Sequence, residues 1–109
     1  MAGDEADVIV LGLGGIGSAT AYWLARSGAR VIGLERFALG HDRGASQDHS
    51  RIIRLSYHDP AYVRLAQAAY ASWAEVSAEA GVELVIRTGG IDIFPAADAF
   101  ERAAYTGSR

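Results

Sequence analysis

The first apolar run of the chain leads directly into a glycine-rich turn. Residues 8–11 are continuously apolar, which is typical of a parallel strand covered on both faces. Small and apolar residues then recur at helical spacing over residues 18–27, and Gly28 is placed to end that helix. A second apolar run predicts a strand over residues 30–34. The pattern therefore predicts a βαβ unit within residues 7–36, and an α/β fold class.

A longer amphipathic helix is predicted in the second half of the chain. Asp59 is a suitable cap for it, Pro60 suits its first turn, and Gly81 is placed to end it. Between them, apolar residues recur at steps of three and four, which predicts a single apolar face over five turns. These positions are Tyr62, Leu65, Ala69, Trp73, Val76 and Ala80.

The remaining segments carry weaker patterns. Residues 37–50 have little periodicity and predict a loop, while residues 51–56 allow either an extended segment or a short turn. The Gly89-Gly90 pair between two short apolar runs predicts a β-hairpin over residues 83–94. Residues 98–105 predict a short helix.

Composition narrows the functional classes. The chain has 109 residues and a formal net charge of −3, which gives no reason to expect binding to nucleic acid or to an anionic membrane, since both draw on concentrated positive charge. It has no cysteine, which excludes disulfides and cysteine-based metal sites, and we expect no metal site. The acidic start does not resemble a signal peptide, and no apolar run could span a membrane. We therefore expect a soluble, cytoplasmic protein.

The strongest chemical signal is the sequence Gly12-Leu13-Gly14-Gly15-Ile16-Gly17, which matches the G-x-G-x-x-G pattern. It follows a predicted strand and opens a predicted helix, and Glu35 ends the second strand 23 positions after Gly12. This context is typical of dinucleotide binding. Gly12 permits the tight turn, Gly14 lets the backbone approach a pyrophosphate, and Gly17 allows close packing of the helix on the strand. The alternative interpretation is that these glycines serve only the packing of the helix on the strand and bind no dinucleotide.

The motif also predicts how a dinucleotide would bind. The N–H groups near Gly15 and Ile16 would receive the pyrophosphate at the start of the helix. Glu35 would accept hydrogen bonds from the adenosine ribose hydroxyls, and its negative charge disfavours the 2′-phosphate of NADP. The motif does not separate FAD from NAD, because both present ADP to the same unit.

Two arginines follow the predicted loop at a spacing of three, Arg51 and Arg54. If this segment is helical, they would share a face, so that one could lie beside a flavin and the other could bind a carboxylate bidentately. From spacing alone, two solvated surface arginines are the favoured interpretation. The histidines His41, His49 and His58 are likewise expected to be exposed loop residues.

These segments together resemble the family of monomeric sarcosine oxidase and N-methyltryptophan oxidase, within the D-amino-acid-oxidase-like flavoproteins. The resemblance runs from residue 7 to about residue 95, and the string Ser50-Arg51-Ile52-Ile53-Arg54 carries it most specifically. The family uses FAD to oxidise secondary amino acids such as sarcosine, and dioxygen reoxidises the flavin to give hydrogen peroxide. The resemblance implies the same cofactor and a small amine or amino-acid substrate that carries a carboxylate.

The resemblance also implies residue roles. The pyrophosphate loop would comprise Gly12, Gly14, Gly15, Ile16 and Gly17. Glu35 would bind the ribose with Arg36 beside it, and Ser46 and Ser50 would lie on the loop that passes the cofactor. Arg51 would face the flavin, and Arg54 would hold the substrate carboxylate. Gln47 departs from the family, whose members often carry histidine there.

The length of the chain is the larger departure, because members of this family have several hundred residues. We expect an incomplete protein, with an FAD-binding βαβ unit and cofactor loop over residues 1–56. Residues 57–109 would begin an α+β substrate domain. The full-length family is expected to be monomeric, whereas this chain alone would expose apolar surface and could self-associate. Two alternatives to a truncated oxidase are an NAD-dependent dehydrogenase fragment and a non-catalytic remnant or docking protein.

Overall fold

The computed structural model describes residues 5–95 and 99–107 of the chain. Its elements are strand β1 (Val8–Leu11), helix α1 (Gly15–Arg26), strand β2 (Val31–Leu34), helix α2 (Pro60–Ala80) and helix α3 (Ala99–Gly107). The chain divides into two compact units, Met1–Arg51 and Ile52–Arg109. The predicted division after residue 56 remains a prediction. No helix in the described part is both long and apolar enough to cross a membrane.

The N-terminal unit is a βαβ unit. Strands β1 and β2 pair in parallel, in a register that places Val8 opposite Val31 and Leu11 opposite Leu34. Helix α1 connects them and packs on both strands. Gly28 follows α1 with a φ of +95°, a left-handed conformation that suits the end of a helix. The predicted α/β class and Rossmann-type unit are therefore confirmed.

The two faces of this sheet differ in their cover. Val10 lies on the face that α1 covers, where its exposure is 9%, and the Leu13 side chain lies directly over Gly33. Alternate positions point to the other face, where Ile9 and Leu11 are 58% and 79% exposed. Ile32 and Leu34 lie in register with them and are also exposed. No described element packs on the second face, which agrees with the expectation that this chain alone exposes apolar surface.

The C-terminal unit contains the predicted long helix with both of its ends as expected. The Asp59 carboxylate accepts a hydrogen bond from the N–H of Ala61 at 2.8 Å, and Gly81 ends the helix in a left-handed conformation. The predicted apolar face is only partly correct. Tyr62 and Leu65 are 56% and 66% exposed, whereas Val63, outside the predicted set, is buried. Which apolar stripe is buried depends on what packs against it, and spacing within the helix does not contain that information.

The predicted β-hairpin is wrong, since residues 83–94 form no strand in the structure. An isolated two-stranded hairpin is marginally stable and needs a third strand or a helix against one of its faces. Ile86, Ile91 and Ile93 are 73–84% exposed, so no such layer covers this segment. The short C-terminal helix is confirmed as α3, and the predicted first residue, Asp98, lies outside the described residues.

Candidate functional site

The turn between β1 and α1 leads directly into the N-terminus of the helix. The N–H of Gly12 donates to the carbonyl of Leu34 at 2.7 Å, with a positive φ of 86° at Gly12 that favours glycine. Gly14 is the N-cap of α1 and offers no side chain to cap it. The first N–H groups of a helix have no acceptor within the helix, and such groups attract anions.

A serine from the following loop reaches this turn. The N–H of Gly15 donates to Ser46 Oγ at 2.8 Å, across 31 positions of sequence. A Cβ added at Gly15 would lie 3.0 Å from the same oxygen, and one added at Gly14 would lie 3.4 Å from it. The absence of side chains at Gly14 and Gly15 therefore leaves a space, the cradle, between the start of the helix and Ser46.

Gly17 is where α1 approaches the turn most closely. A Cβ added there would overlap the carbonyl oxygen of Gly12 and lie 2.9 Å from the carbonyl carbon. The predicted reason for this glycine, close packing at the start of the helix, agrees with that geometry.

Glu35 lies beside the same turn at the end of β2. One carboxylate oxygen accepts a hydrogen bond from the N–H of Leu13 at 2.7 Å, and the other accepts one from the N–H of Phe37 at 3.1 Å. The second oxygen also lies 3.3 Å from Nε2 of His41, and the Glu35 side chain is only 12% exposed. The two hydrogen bonds hold the pKa of the Glu35 carboxyl below its usual value. The bond from Leu13 has the largest effect, and the bond from Phe37 has the next largest.

The lowered pKa of Glu35 predicts a pH dependence of stability. The folded chain binds this proton more weakly than the unfolded chain, whose carboxyl has a pKa near 4.5. The stabilisation is therefore present above about pH 4.5 and is lost as the pH falls through the folded pKa. We expect urea midpoints for the wild-type chain to decrease across this range more steeply than those of Glu35→Gln.

The matched control for this prediction is Glu83→Gln, because Glu83 is an exposed carboxylate outside the N-terminal unit. Its urea midpoints should follow the wild-type curve. Equal acid sensitivity in the wild-type chain and Glu35→Gln would show that the Glu35 carboxylate does not stabilise the folded chain.

The turn, Glu35 and the loop surround a cavity of about 240 Å³. Its lining includes Leu13, Gly14, Gly15, Glu35, His41 and Ser46, all from the N-terminal unit. Four of these positions, Gly14, Gly15, Glu35 and Ser46, were singled out from the sequence. The cavity therefore brings together the predicted pyrophosphate turn and the predicted ribose acid.

Other predicted site residues lie outside the lining of this cavity. The Arg36 guanidinium lies over the Phe37 ring, 5.3 Å from its centroid, and Ser50 is exposed. Arg51 pairs with Asp48 at 3.6 Å, with both side chains more than 60% exposed. Their predicted roles at the cofactor remain predictions.

Arg54 belongs to the C-terminal unit, where its guanidinium lies 5.2 Å from the centroid of the Tyr57 ring. Residues 51–56 are not helical, so the shared helical face considered for Arg51 and Arg54 does not form. The role of Arg54 as a carboxylate ligand remains a prediction.

Sequence reasoning missed His41, which was expected to be an exposed loop residue. Its side chain is only 20% exposed and lies against Glu35. The available signal was its position six residues after the predicted ribose acid, in a loop that also supplies Ser46.

Within residues 5–95 and 99–107, no three His, Asp or Glu residues are grouped as a metal site would require.

Known proteins resemble this chain over most of its length. Residues 7–109 match the protein family DAO, described as FAD dependent oxidoreductase. Monomeric sarcosine oxidase of Streptomyces avermitilis is 51% identical over 86 residues, which are 78% of this chain and 22% of that protein. Human peroxisomal sarcosine oxidase is 45% identical over 83 residues, which are 76% of this chain and 21% of the human protein.

A third relative extends the comparison to another named substrate. N-methyl-L-tryptophan oxidase of Salmonella arizonae is 33% identical over 95 residues, which are 86% of this chain and 26% of that protein. The chain thus spans about a fifth to a quarter of the length of these relatives. Because the family match covers nearly the whole chain, from the first strand through the last helix, this protein belongs to the DAO family of FAD-dependent oxidoreductases.

Proposed function

We propose that the N-terminal unit binds the ADP half of FAD. The observation that carries this proposal is the start of α1, where Gly14 offers no side-chain cap and which lines a cavity together with Glu35 and Ser46. The free N–H groups and the helix dipole favour a pyrophosphate at this place. The cavity fits that group, because Gly14 and Gly15 add no side chain to the cradle.

Within this proposal, Glu35 binds the ribose hydroxyls and Ser46 orients the N–H of Gly15. Arg36, Ser50 and Arg51 would contact other parts of the cofactor, and Arg51 would place positive charge beside the flavin. Negative charge develops on a flavin and on dioxygen during reduction, so a fixed cation there would favour both events. The support for Arg51 and Ser50 is the sequence resemblance.

We further propose that the reaction is oxidation of a secondary amine or N-methyl amino acid, with dioxygen as acceptor. FAD supplies the two-electron acceptor, and Arg54 would bind the substrate carboxylate. The named activities of the sarcosine and N-methyltryptophan oxidases support this class of substrate. Family membership favours FAD over the NAD alternative. Because the chain spans only part of these relatives, turnover is proposed for the protein in which residues 1–56 and 57–109 join the remaining sequence.

Three further parts of the sequence-based interpretation remain predictions. They are the division between residues 1–56 and 57–109, the cytoplasmic location, and the monomeric state of a full-length protein.

The test is a fluorescence titration of the purified chain with FAD, using NAD and ADP as competitors. We expect saturable FAD binding, competition by ADP, and loss of binding in Gly14→Trp, because the indole would fill the cradle beside Ser46. Gly90→Trp is the matched control, since no atom lies within 4 Å of a Cβ added there. A folded wild-type chain that binds none of the three nucleotides would contradict the proposal.

A second candidate function is a non-catalytic docking subunit. The uncovered sheet face formed by Ile9, Leu11, Ile32 and Leu34 favours it, because parallel sheets are normally covered on both faces. The occupant would be a polypeptide equivalent to the remaining three quarters of the sarcosine oxidases. Co-expression with that portion of the Streptomyces relative should yield a stable complex that co-purifies. Independent purification of the two parts would argue against this candidate.

A further inference from the structure

His41 is held at both nitrogens of its ring. Its Nδ1 accepts a hydrogen bond from the N–H of Arg43 at 3.0 Å, and its Nε2 lies 3.3 Å from a carboxylate oxygen of Glu35. The ring also packs edge-on against Phe37, with centroids 5.0 Å apart. Three separate contacts therefore fix the orientation of a histidine that lines the cavity.

The contact with Arg43 determines which nitrogen carries the proton in neutral His41. A ring nitrogen that accepts a hydrogen bond is unprotonated, so the proton resides on Nε2. The protonated Nε2 then lies 3.3 Å from a carboxylate oxygen of Glu35.

The Glu35 carboxylate is consequently bound from two directions. The N–H of Leu13 approaches one oxygen, and Phe37 and His41 approach the other. Donors on both oxygens fix the plane of a carboxylate, whereas a single donor leaves it free to rotate. A fixed carboxylate presents its remaining acceptor positions to the cavity in one direction.

We propose that His41 is a positioning residue that orients Glu35 toward the adenosine ribose and so sets selectivity for a ribose with free hydroxyls. The proposal rests on the nucleotide site proposed above. His41 acts through Glu35 and is given no contact with the flavin or with the substrate.

Two variants separate positioning from packing. His41→Phe keeps an aromatic ring against Phe37 and removes the donor to Glu35. His41→Gln loses the ring and places a side-chain N–H group near the position of Nε2. If His41 acts through its polar contact with Glu35, the glutamine variant should retain its effect and the phenylalanine variant should lose it.

The first measurement compares binding of ADP and 2′-deoxy-ADP by calorimetry in the wild-type chain, both His41 variants and Glu35→Gln. A hydrogen bond to a carboxylate supports a preference for ADP of about tenfold or more in the wild-type chain. We expect His41→Gln to keep most of this preference, and His41→Phe and Glu35→Gln to reduce it to about twofold. Full preference in His41→Phe, with loss in Glu35→Gln, would overturn the proposal.

The second measurement does not depend on nucleotide binding. Carboxyl-carbon NMR of the nucleotide-free chain should show a higher pKa for Glu35 in His41→Phe and in His41→Gln than in the wild-type chain, because both variants remove the coulombic interaction with His41 that lowers it. An unchanged pKa of Glu35 in His41→Phe would overturn the positioning role. If the wild-type chain binds neither nucleotide, the proposed FAD site fails, and this titration still decides whether His41 holds Glu35.

Discussion

Replacement of Gly17 by alanine is expected to destabilise the N-terminal unit strongly and to abolish FAD binding. The added Cβ would overlap the carbonyl oxygen of Gly12, which is a backbone atom and cannot rotate away as a side chain could. Relief requires α1 to move off the turn, and with it the N–H groups that face the cavity. Steric overpacking typically costs 1–3 kcal/mol, and we expect the upper end, about 3 kcal/mol, because backbone must shift.

That cost is large for this chain. Domains are stabilised by roughly 5–15 kcal/mol in total, and a small unit with one open sheet face lies toward the low end. Urea unfolding followed by far-UV circular dichroism measures the loss, and FAD fluorescence reports the site.

The matched control is Gly44→Ala in the loop beside the cavity. A Cβ added at Gly44 would lie 3.7 Å from His41 Cε1, an ordinary van der Waals contact. Gly44→Ala should therefore unfold at nearly the wild-type urea concentration. Equal stability of the Gly17 and Gly44 variants would show that α1 does not depend on close contact with the turn.

The parts of the fold that were predicted correctly are those whose signals are local in sequence. The apolar runs of β1 and β2, the glycines that follow β1, and the capping residues of α2 all lie within a few residues of the structure they specify. The hairpin failed because strand pairing requires a covering layer, and residues 83–94 contain no signal for its presence. The buried position of Val63 in α2 was missed for the same reason.

The site divides in a similar way. The proximity of Glu35 to the glycine turn was predicted because the spacing of the dinucleotide motif determines where the end of the second strand lies relative to the turn. The hydrogen bond between Gly15 and Ser46 spans 31 positions, and only resemblance to a family pointed to Ser46. His41 was missed because its contact with Glu35 depends on the loop folding back onto that residue, which no periodicity in residues 37–50 indicates.

The paired substitution Ile9→Thr and Leu11→Thr is expected to convert a self-associating chain into a monomer. Both side chains lie on the uncovered face of the sheet, where Leu11 is 79% exposed. A contiguous apolar face beside open strand edges is a surface on which a second copy can pack. Threonine is β-branched and retains strand propensity, so the substitution changes the polarity of the face while preserving β1. Sedimentation velocity over a range of protein concentrations measures the change.

Ile52→Thr provides the control, because Ile52 is 89% exposed and lies outside the sheet. An isolated apolar residue on a surface is ordinary, and its removal should leave the association unchanged. A wild-type chain that stays monomeric at every concentration would contradict the prediction. Association that weakens equally in both variants would show that general surface hydrophobicity, and not the sheet face, drives it. Association lost only in the Ile9 and Leu11 variant would identify the sheet face as the contact surface, and the same variant should then fail to bind the remaining portion of the Streptomyces relative.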